Sequence, residues 1–179
     1  MRERTVTVHV KINAAIFRRF ALFDTFRIKR RWVSPAVFCA VFMAFSFLCM
    51  ASGREQAGLI GTILQVVGIG LPVCYVLSFL VQVHDQCRRL GLRALRPAYT
   101  LNLGEKELRV INDMQKEPEV ILPYASMHGV WRASGAYYLY AAPARAFILP
   151  DGQCALSAAE LYDLFAERLP KGALHGRRP

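Results

Sequence analysis

Two long stretches of this chain, Trp32–Gly53 and Gln56–Val83, carry no charged side chain, and only two charged residues separate them. At about 1.5 Å rise per residue, roughly 20 apolar residues cross a bilayer core of about 30 Å, so each stretch is long enough to span a membrane as a helix. The short break leaves no room for a domain. The sequence therefore predicts a tight hairpin of transmembrane helices at residues 32–53 and 57–83, joined by an external loop at residues 54–56.

Basic side chains flank these two stretches and are nearly absent between them. Those expected at the cytoplasmic membrane surface are Arg27, Lys29, Arg30, Arg31, Arg88, Arg89, Arg93 and Arg96. Because Lys and Arg accumulate on cytoplasmic flanks, we predict a bacterial inner (plasma) membrane protein with two spans and both termini in the cytoplasm. The same side chains are expected to attract the headgroups of anionic membrane lipids, at about 1 kcal/mol for each one near the surface.

A cleaved signal peptide is the competing interpretation of the first stretch. Residues 1–31 precede the stretch, which is long for the charged region of a signal peptide, and a second apolar stretch follows directly. We therefore expect the first stretch to remain in the mature protein.

The distribution of charge argues against a nucleic-acid partner. The chain has a net charge of +10, and residues 1–31 hold nine basic and two acidic side chains. Residues 98–179, which contain the predicted soluble domain, carry nine of each. A domain that binds nucleic acid needs a basic face, so we expect no nucleic acid among the partners.

Residues 1–31 are predicted to form a cytoplasmic strand and helix. Polar and apolar residues alternate over Thr5–Ile12, which is the period of a half-buried strand. Asn13 is suited to cap a following helix, which carries aromatic residues such as Phe20 together with several arginines. Such a basic amphipathic helix could lie on the membrane surface, or it could pack its aromatic side on the C-terminal domain.

Small residues recur at helical spacing in both uncharged stretches, which allows two backbones to approach closely. The predicted packing residues are Ala36, Ala40 and Ala44 in the first stretch and Gly61, Gln65 and Gly68 in the second. The simplest interpretation packs these faces together, with Gln65 forming a hydrogen bond across the hairpin, and a homo-oligomer is the alternative. No ionisable residue lies inside either stretch, so a transport pathway is not expected.

Beyond the second stretch, a basic connector at residues 84–97 leads to a strand-rich domain at residues 98–170. We expect the second helix to continue through part of the connector until Pro97 stops it. Turn residues divide the domain into short antiparallel strands. The predicted strands are Tyr99–Leu103, Glu107–Ile111, Glu119–Leu122, Gly129–Ala133, Tyr137–Tyr140 and Ala146–Leu149, with a connection at Asp113–Glu117.

A helix is predicted to close this domain. Ser157 and Glu160 form a capping-box pattern before an amphipathic run that ends near Leu169. The predicted fold class is therefore α+β, with a two-helix transmembrane hairpin and a small antiparallel sheet domain capped by a C-terminal helix. The remaining tail, residues 171–179, is expected to be disordered.

These features together resemble the YcxB-like membrane proteins of bacteria over nearly the whole chain to about Pro170. The segments that carry the resemblance are Thr5–Ile12, Leu122–Trp131, Tyr137–Tyr140 and Phe147–Pro150. The resemblance implies that the C-terminal domain is pleckstrin-homology-like (PH-like), with a bent sheet and a C-terminal helix. It implies no activity. One departure is Asp151-Gly152-Gln153, where that family often has a basic residue after the proline.

No catalytic, cofactor-binding or metal-binding pattern is present in the sequence. The four histidines are dispersed, and neither a zinc-protease motif, a nucleophile elbow nor a glycine-rich phosphate loop occurs. His84, Asp85 and Cys87 form the one cluster with chemical potential, but adjacent positions on a helix face different ways. We therefore expect a protein that is not an enzyme and has no cofactor, and a Cys/His-dependent membrane enzyme is the least favoured alternative.

A binding role remains. Trp131, Tyr138 and Tyr140 are the candidate interaction residues, because such side chains make good interface anchors. Their alternative role is the core of the sheet. We predict an adaptor or regulatory module with a protein partner, the alternatives being a membrane-surface lipid-binding sensor or a subunit of a larger membrane complex.

Overall fold

The computed structural model describes residues 5–53, 55–112 and 119–179. The predicted connection Asp113–Glu117 lies outside the described residues. Within them, the chain is α+β, with four α-helices and two four-stranded sheets. It divides into two compact units. We call the part up to Phe20 together with the part from Leu92 onward the β-rich unit, and Ala21–Gly91 the helical unit.

The first sheet of the β-rich unit is antiparallel throughout and has the strand order β1-β2-β3-β4. Its strands are β1 (Val6–Ile12), β2 (Arg96–Leu103), β3 (Glu107–Ile111) and β4 (Val120–Pro123). The alternation predicted for β1 is present, since Val8, Val10 and Ile12 are buried. β1 pairs with β2 from Val6 opposite Leu103. The N-terminal strand is therefore part of the same folded unit as the C-terminal strands, although the sequence predicts two separate regions.

The second sheet has the strand order β7-β6-β5-β8. Its strands are β5 (Gly129–Ala133), β6 (Ala136–Ala142), β7 (Arg145–Pro150) and β8 (Leu174–His175). Ser134 and Gly135 join β5 to β6 with φ values of 54° and 75°, as a two-residue hairpin turn requires. The strand β8 runs parallel to β5, and Val130 N donates to Ala173 O at 2.7 Å. The prediction of a disordered tail is therefore wrong for this segment, because it pairs with the edge of β5.

The helix α4 (Ala158–Arg168) begins at the predicted capping box, in which Ser157 and Glu160 each cap the other's backbone N–H. Its apolar side buries Leu161 and Phe165. The segment after β7 is tied to the first sheet at β1. The Gln153 side chain accepts from Lys11 N at 2.7 Å and donates to Lys11 O at 2.8 Å.

The helix α1 (Ala14–Leu22) follows β1 directly, and the Asn13 side chain accepts from Ile16 N at 2.9 Å, as a capping residue does. Of the two positions left open by the sequence, the structure supports packing on the β-rich unit. The Phe20 ring lies 5.3 Å from that of Tyr138 and 6.4 Å from that of Tyr140.

The helical unit contains a π-helical turn at Phe23–Ile28, α2 (Val33–Ala51) and α3 (Glu55–Arg89). Both α2 and α3 are long and apolar enough to span a membrane, with a mean hydropathy of 2.1. In an apolar 18-residue segment of each helix, only 6% of the residues in α2 and 11% of those in α3 are buried. The core helix of a soluble domain would be mostly buried. The helix α3 ends at Arg89 and does not reach Pro97, which lies in β2. Gly91 follows at a φ of 64°, the conformation that commonly terminates helices.

The packing of α2 against α3 differs from the prediction for the residues of α2. Ala36, Ala40 and Ala44 are all exposed. The residues that meet α3 are larger: a Cβ added to Gly61 would lie 2.9 Å from Met50 Cγ, and one added to Gly68 would lie 2.8 Å from Phe42 Cβ. Small residues on α3 alone are therefore enough for close approach, because side chains of α2 fill the space above the glycines.

A serine forms the hydrogen bond across this hairpin. Ser46 is fully buried, and its hydroxyl donates to Gly61 O at 2.8 Å. The sequence predicts this role for Gln65, which is half-buried on α3. The glycine explains the difference, because the missing side chain leaves its carbonyl accessible to Ser46.

Candidate interaction surface

The tyrosines predicted as interaction anchors belong to the core. Tyr138 and Tyr140 are each 1% exposed, and their neighbour Tyr137 is 0% exposed. One face of the second sheet is covered by α4, where the Tyr137 ring meets Phe165 at 5.5 Å, and the other by Phe20. The prediction that Tyr138 and Tyr140 contact a partner is therefore wrong, because both faces of this sheet are covered within the unit.

Burial also governs the ionisation of these tyrosines. It raises the pKa of Tyr138 and of Tyr137, and the Arg132 guanidinium partly opposes the rise at Tyr137. The Tyr137 hydroxyl donates to Ala158 O at 2.6 Å, which fixes the start of α4 on the sheet. The Tyr137 phenol therefore acts as a structural hydrogen-bond donor.

Trp131 is the candidate residue that retains exposed surface. Its ring is half-buried, stacks on His175 at 4.6 Å and meets Tyr140 edge-on at 4.9 Å. Gly129 makes room for it, since a Cβ there would lie 2.7 Å from the indole. The C-terminal segment thus covers part of the surface that Trp131 would otherwise present.

A groove of about 1130 Å³ opens in the β-rich unit between α4 and the end of β4. The lining residues are Val6, Glu105, Lys106, Pro123, Tyr124, Ala125, Leu156, Glu160, Asp163, Leu164, Glu167 and Arg168. They come from the start of β1, the turn between β2 and β3, the 3-10 turn Tyr124–Ser126 and α4. The groove therefore depends on the pairing of both chain termini into one unit.

Arg168 and Tyr124 form the inner wall of this groove. The Arg168 guanidinium donates to Gly104 O at 2.6 Å and to Leu103 O at 3.4 Å, and it lies 5.9 Å above the Tyr124 ring. Tyr124 is 2% exposed, and its hydroxyl has no hydrogen-bond partner among the described residues. Burial raises the pKa of Tyr124, partly opposed by Arg168.

Carboxylates form the outer rim of the groove. Glu160 accepts hydrogen bonds from the backbone and hydroxyl of Ser157, which hold its pKa below the ordinary value. Asp163 pairs with Arg178 of the C-terminal segment at 2.6 Å. Glu105 and Glu167 are exposed and have no ion pair with another described residue.

No sequence motif singles out this groove, although part of its signal is present in the sequence. Positions 160, 163 and 167 are three and four residues apart, so their carboxylates share one face of a helix. Glu105 lies far away in sequence, and only the tertiary fold brings it to the same rim.

The predicted membrane-flanking basic residues are all exposed. Within the helical unit, Lys29 pairs with Asp24 at 2.6 Å and Arg89 pairs with Asp85 at 2.7 Å. Arg93 and Arg96 belong to the β-rich unit. These guanidinium and ammonium groups are therefore accessible to solvent or to headgroups.

The three residues of the sequence cluster His84, Asp85 and Cys87 lie on α3 in different surroundings. Cys87 is buried at 5% exposure, and the Asp85 carboxylate is paired with Arg89, while His84 is exposed on α3. In residues 5–53, 55–112 and 119–179, no group of three or more His, Cys, Asp or Glu side chains is placed to hold a metal ion.

No protein-family model, curated protein or solved structure matches this chain. Its function therefore has to be inferred from the residues themselves.

Proposed function

We propose that this protein is an integral inner-membrane protein of the YcxB-like type that uses α2 and α3 as a transmembrane hairpin and presents a PH-like cytoplasmic unit as an adaptor or regulatory module. It has no catalytic role in this proposal. The observation that carries it is the contrast between a β-rich unit with a closed core and two helices whose apolar side chains are exposed.

The path of the chain supports an even number of membrane crossings. The helical unit is inserted between β1 and β2, which pair with each other up to Ile12 opposite Arg96. Ala14 N also donates to Leu92 O at 2.9 Å. The insertion must therefore leave and return on the same side of a membrane, and two spans satisfy this requirement.

The same connection disfavours cleavage of a signal peptide. Cleavage after the first apolar helix would remove β1 from the β-rich unit, together with Val8, Val10 and Ile12 from its core. Losing three buried aliphatic side chains would cost several kcal/mol, since each contributes roughly 1.5–3 kcal/mol when fully buried. We infer that the mature chain keeps its N-terminus.

A PH-like fold for the β-rich unit is supported by its antiparallel strands in two sheets followed by α4. A recognition role is favoured by the groove beside α4 and by the half-exposed Trp131. A membrane-surface lipid sensor is the second candidate, and the exposed arginines before α2 and at the end of α3 favour it.

Photo-crosslinking of the full-length chain in its membrane tests the adaptor proposal. A crosslinking amino acid would replace Ile121, which is 50% exposed on β4, or Val66, which is 67% exposed on α3. An adaptor predicts one protein partner crosslinked from position 121 and absent from position 66. Crosslinks from position 121 to lipid alone would favour the sensor, and no crosslink from that position or from the groove rim would contradict both candidates.

The connectivity of the sheet also determines the proper deletion control. A chain cut after Arg96 would leave β1 without its partner strand β2. Residues 21–91, which form the helical unit by themselves, are a better control. A partner captured by residues 21–91 as well as by the full chain would contradict recognition through the β-rich unit.

A further inference from the structure

We propose that the groove beside α4 binds a short segment of a partner protein in which arginine or lysine residues are interspersed with apolar residues. This inference rests on the proposed adaptor function and names the chemistry of its partner. It is carried by the charge of the rim, the apolar residues of the lining and an ion pair that the chain already makes there.

The rim is acidic in a protein that is otherwise strongly basic. Of the 13 acidic residues in the chain, which has a net charge of +10, four line this groove. They are Glu105, Glu160, Asp163 and Glu167. The Arg168 guanidinium offsets only one of these four charges, and it is half-buried and donates to two backbone carbonyls. Lys106 is the remaining cation of the lining. A basic segment is therefore complementary to this rim, and an anionic lipid headgroup is not.

Part of the groove lining is apolar and suits apolar side chains of a ligand. Val6, Pro123, Ala125, Leu156 and Leu164 contribute to it. The groove volume of about 1130 Å³ lies above the ~300–1,000 Å³ typical of small-molecule pockets.

The C-terminal segment already shows how a guanidinium binds at this rim. Arg178 lies 2.6 Å from the Asp163 carboxylate, and Tyr162 on the same helix donates to Gly176 O at 3.5 Å. Glu105 and Glu167, which have no ion pair with another described residue, are left to pair with the basic residues of the partner.

The binding test uses the purified full-length protein in nanodiscs of zwitterionic phosphatidylcholine, so that lipid charge does not compete. The probe is a fluorescent 12-residue peptide of alternating leucine and arginine, and a leucine–glutamate peptide is its control. Fluorescence anisotropy gives the affinity of each. We expect the basic probe to bind, the acidic probe not to bind, and the affinity for the basic probe to fall with added salt.

Two charge reversals at the rim locate the binding site. Glu105→Lys and Glu167→Lys are each expected to lower affinity about fivefold, since each removes one exposed ion pair and adds repulsion of the basic probe. Glu119→Lys is the matched control, because Glu119 is an exposed carboxylate outside the groove, and it is expected to change affinity less than twofold. Arg178→Ala, which frees Asp163, is expected to tighten binding.

Equal losses in Glu119→Lys and Glu167→Lys would overturn the proposal, because they would indicate attraction by overall charge. Unchanged affinity in both rim variants would overturn it as well. If the protein self-associates and Glu167→Lys abolishes that self-association, the groove binds a second copy of this chain and not a partner protein, which overturns the proposal. If the rim variants bind the probe normally while position 121 still crosslinks to a partner, the groove proposal fails and the adaptor proposal stands.

Discussion

The β-rich unit buries apolar side chains in a core, whereas the helical unit exposes most of its own. Among the described residues, all but two of the buried apolar side chains belong to the β-rich unit, and all but three of the exposed large apolar side chains belong to the helical unit. Both units nevertheless have specific internal packing, such as the hydrogen bond from Ser46 to Gly61. The β-rich unit is thus stabilised by removing apolar surface from water, whereas close packing and hydrogen bonding hold α2 against α3, as in helices surrounded by lipid.

The chain enters the helical unit after β1 and returns to the β-rich unit before β2, so one unit is inserted into the other in sequence. Because the helical unit is inserted between β1 and β2, the β-rich unit closes only when residues on both sides of the insertion meet. Its sheet therefore depends on contacts that are distant in sequence, while the hairpin depends on local ones. Changes in one unit are expected to leave the packing of the other intact, and the following predictions test that separation.

The largest effect is expected from Phe165→Ala. Phe165 is fully buried against Tyr137, and removing a buried phenylalanine destabilises a core by about 4 kcal/mol. Chemical denaturation followed by Trp131 fluorescence, in a chain with Trp32 replaced by Phe, would measure the loss. Ala166→Ser on the exposed side of α4 is the control. A loss below 1 kcal/mol would contradict the burial of Phe165 in the core, and release of the protein from the membrane would contradict the separation of the units.

Val41→Asp is expected to have the next largest effect, and only on membrane insertion. Val41 is 44% exposed in the middle of α2, and an Asp at the centre of a transmembrane helix disfavours insertion by about 3 kcal/mol. The measurement is the fraction of protein that resists extraction from membranes by alkaline carbonate. Ile121→Asp, at a position 50% exposed on β4, should leave that fraction unchanged. Equal behaviour of the two variants would mean that both units face water.

Gly68→Ala is expected to weaken the packing of α2 against α3 by about 2 kcal/mol, because overpacking forces the helices apart. The added Cβ would lie 2.8 Å from Phe42 Cβ, whereas one added to Gly70 would meet nothing within 4 Å. Unfolding in mixed detergent and dodecyl sulfate micelles, followed by helicity, compares Gly68→Ala with Gly70→Ala. If the Gly70 variant is the less stable one, the described helix face is incorrect.

The smallest effect is expected from Ser157→Ala, which removes the N-cap of α4. Loss of such a cap reduces stability by about 1 kcal/mol. Thermal denaturation of the β-rich unit in the full-length protein measures the change, and Ala155→Ser just before the cap is the control. A change in the detergent stability of the hairpin would show that the two units are coupled.

Local features of this fold could be predicted from sequence because each has a short-range cause. The Ser134-Gly135 turn, the Asn13 cap and the Ser157–Glu160 capping box all appear where the sequence places them. Gly91 is a missed signal of the same kind, since a glycine after Arg88 and Arg89 is typical of a helix end, and it explains why α3 ends before Pro97.

The parts that could not be predicted depend on tertiary contacts. Nothing local indicates that β1 pairs with β2 across the insertion, or that β8 pairs with the edge of β5. A helix that is apolar on every side carries no amphipathic signal, so the face of α2 that includes Ser46 could not be distinguished from the Ala36 face. Tyr138 was misassigned for a similar reason, because strand alternation does not reveal that both sheet faces are covered.

One labelling measurement tests the central claim that the two units lie in different surroundings, with the β-rich unit on the cytoplasmic side. Single cysteines would be placed at Ser52, after α2, and at Ala166, on α4, in a chain without its five native cysteines. A membrane-impermeant maleimide is then added to intact cells. The account predicts labelling of Ser52→Cys in intact cells and of Ala166→Cys only after permeabilisation. Equal labelling of both positions, or the reverse order, would contradict it.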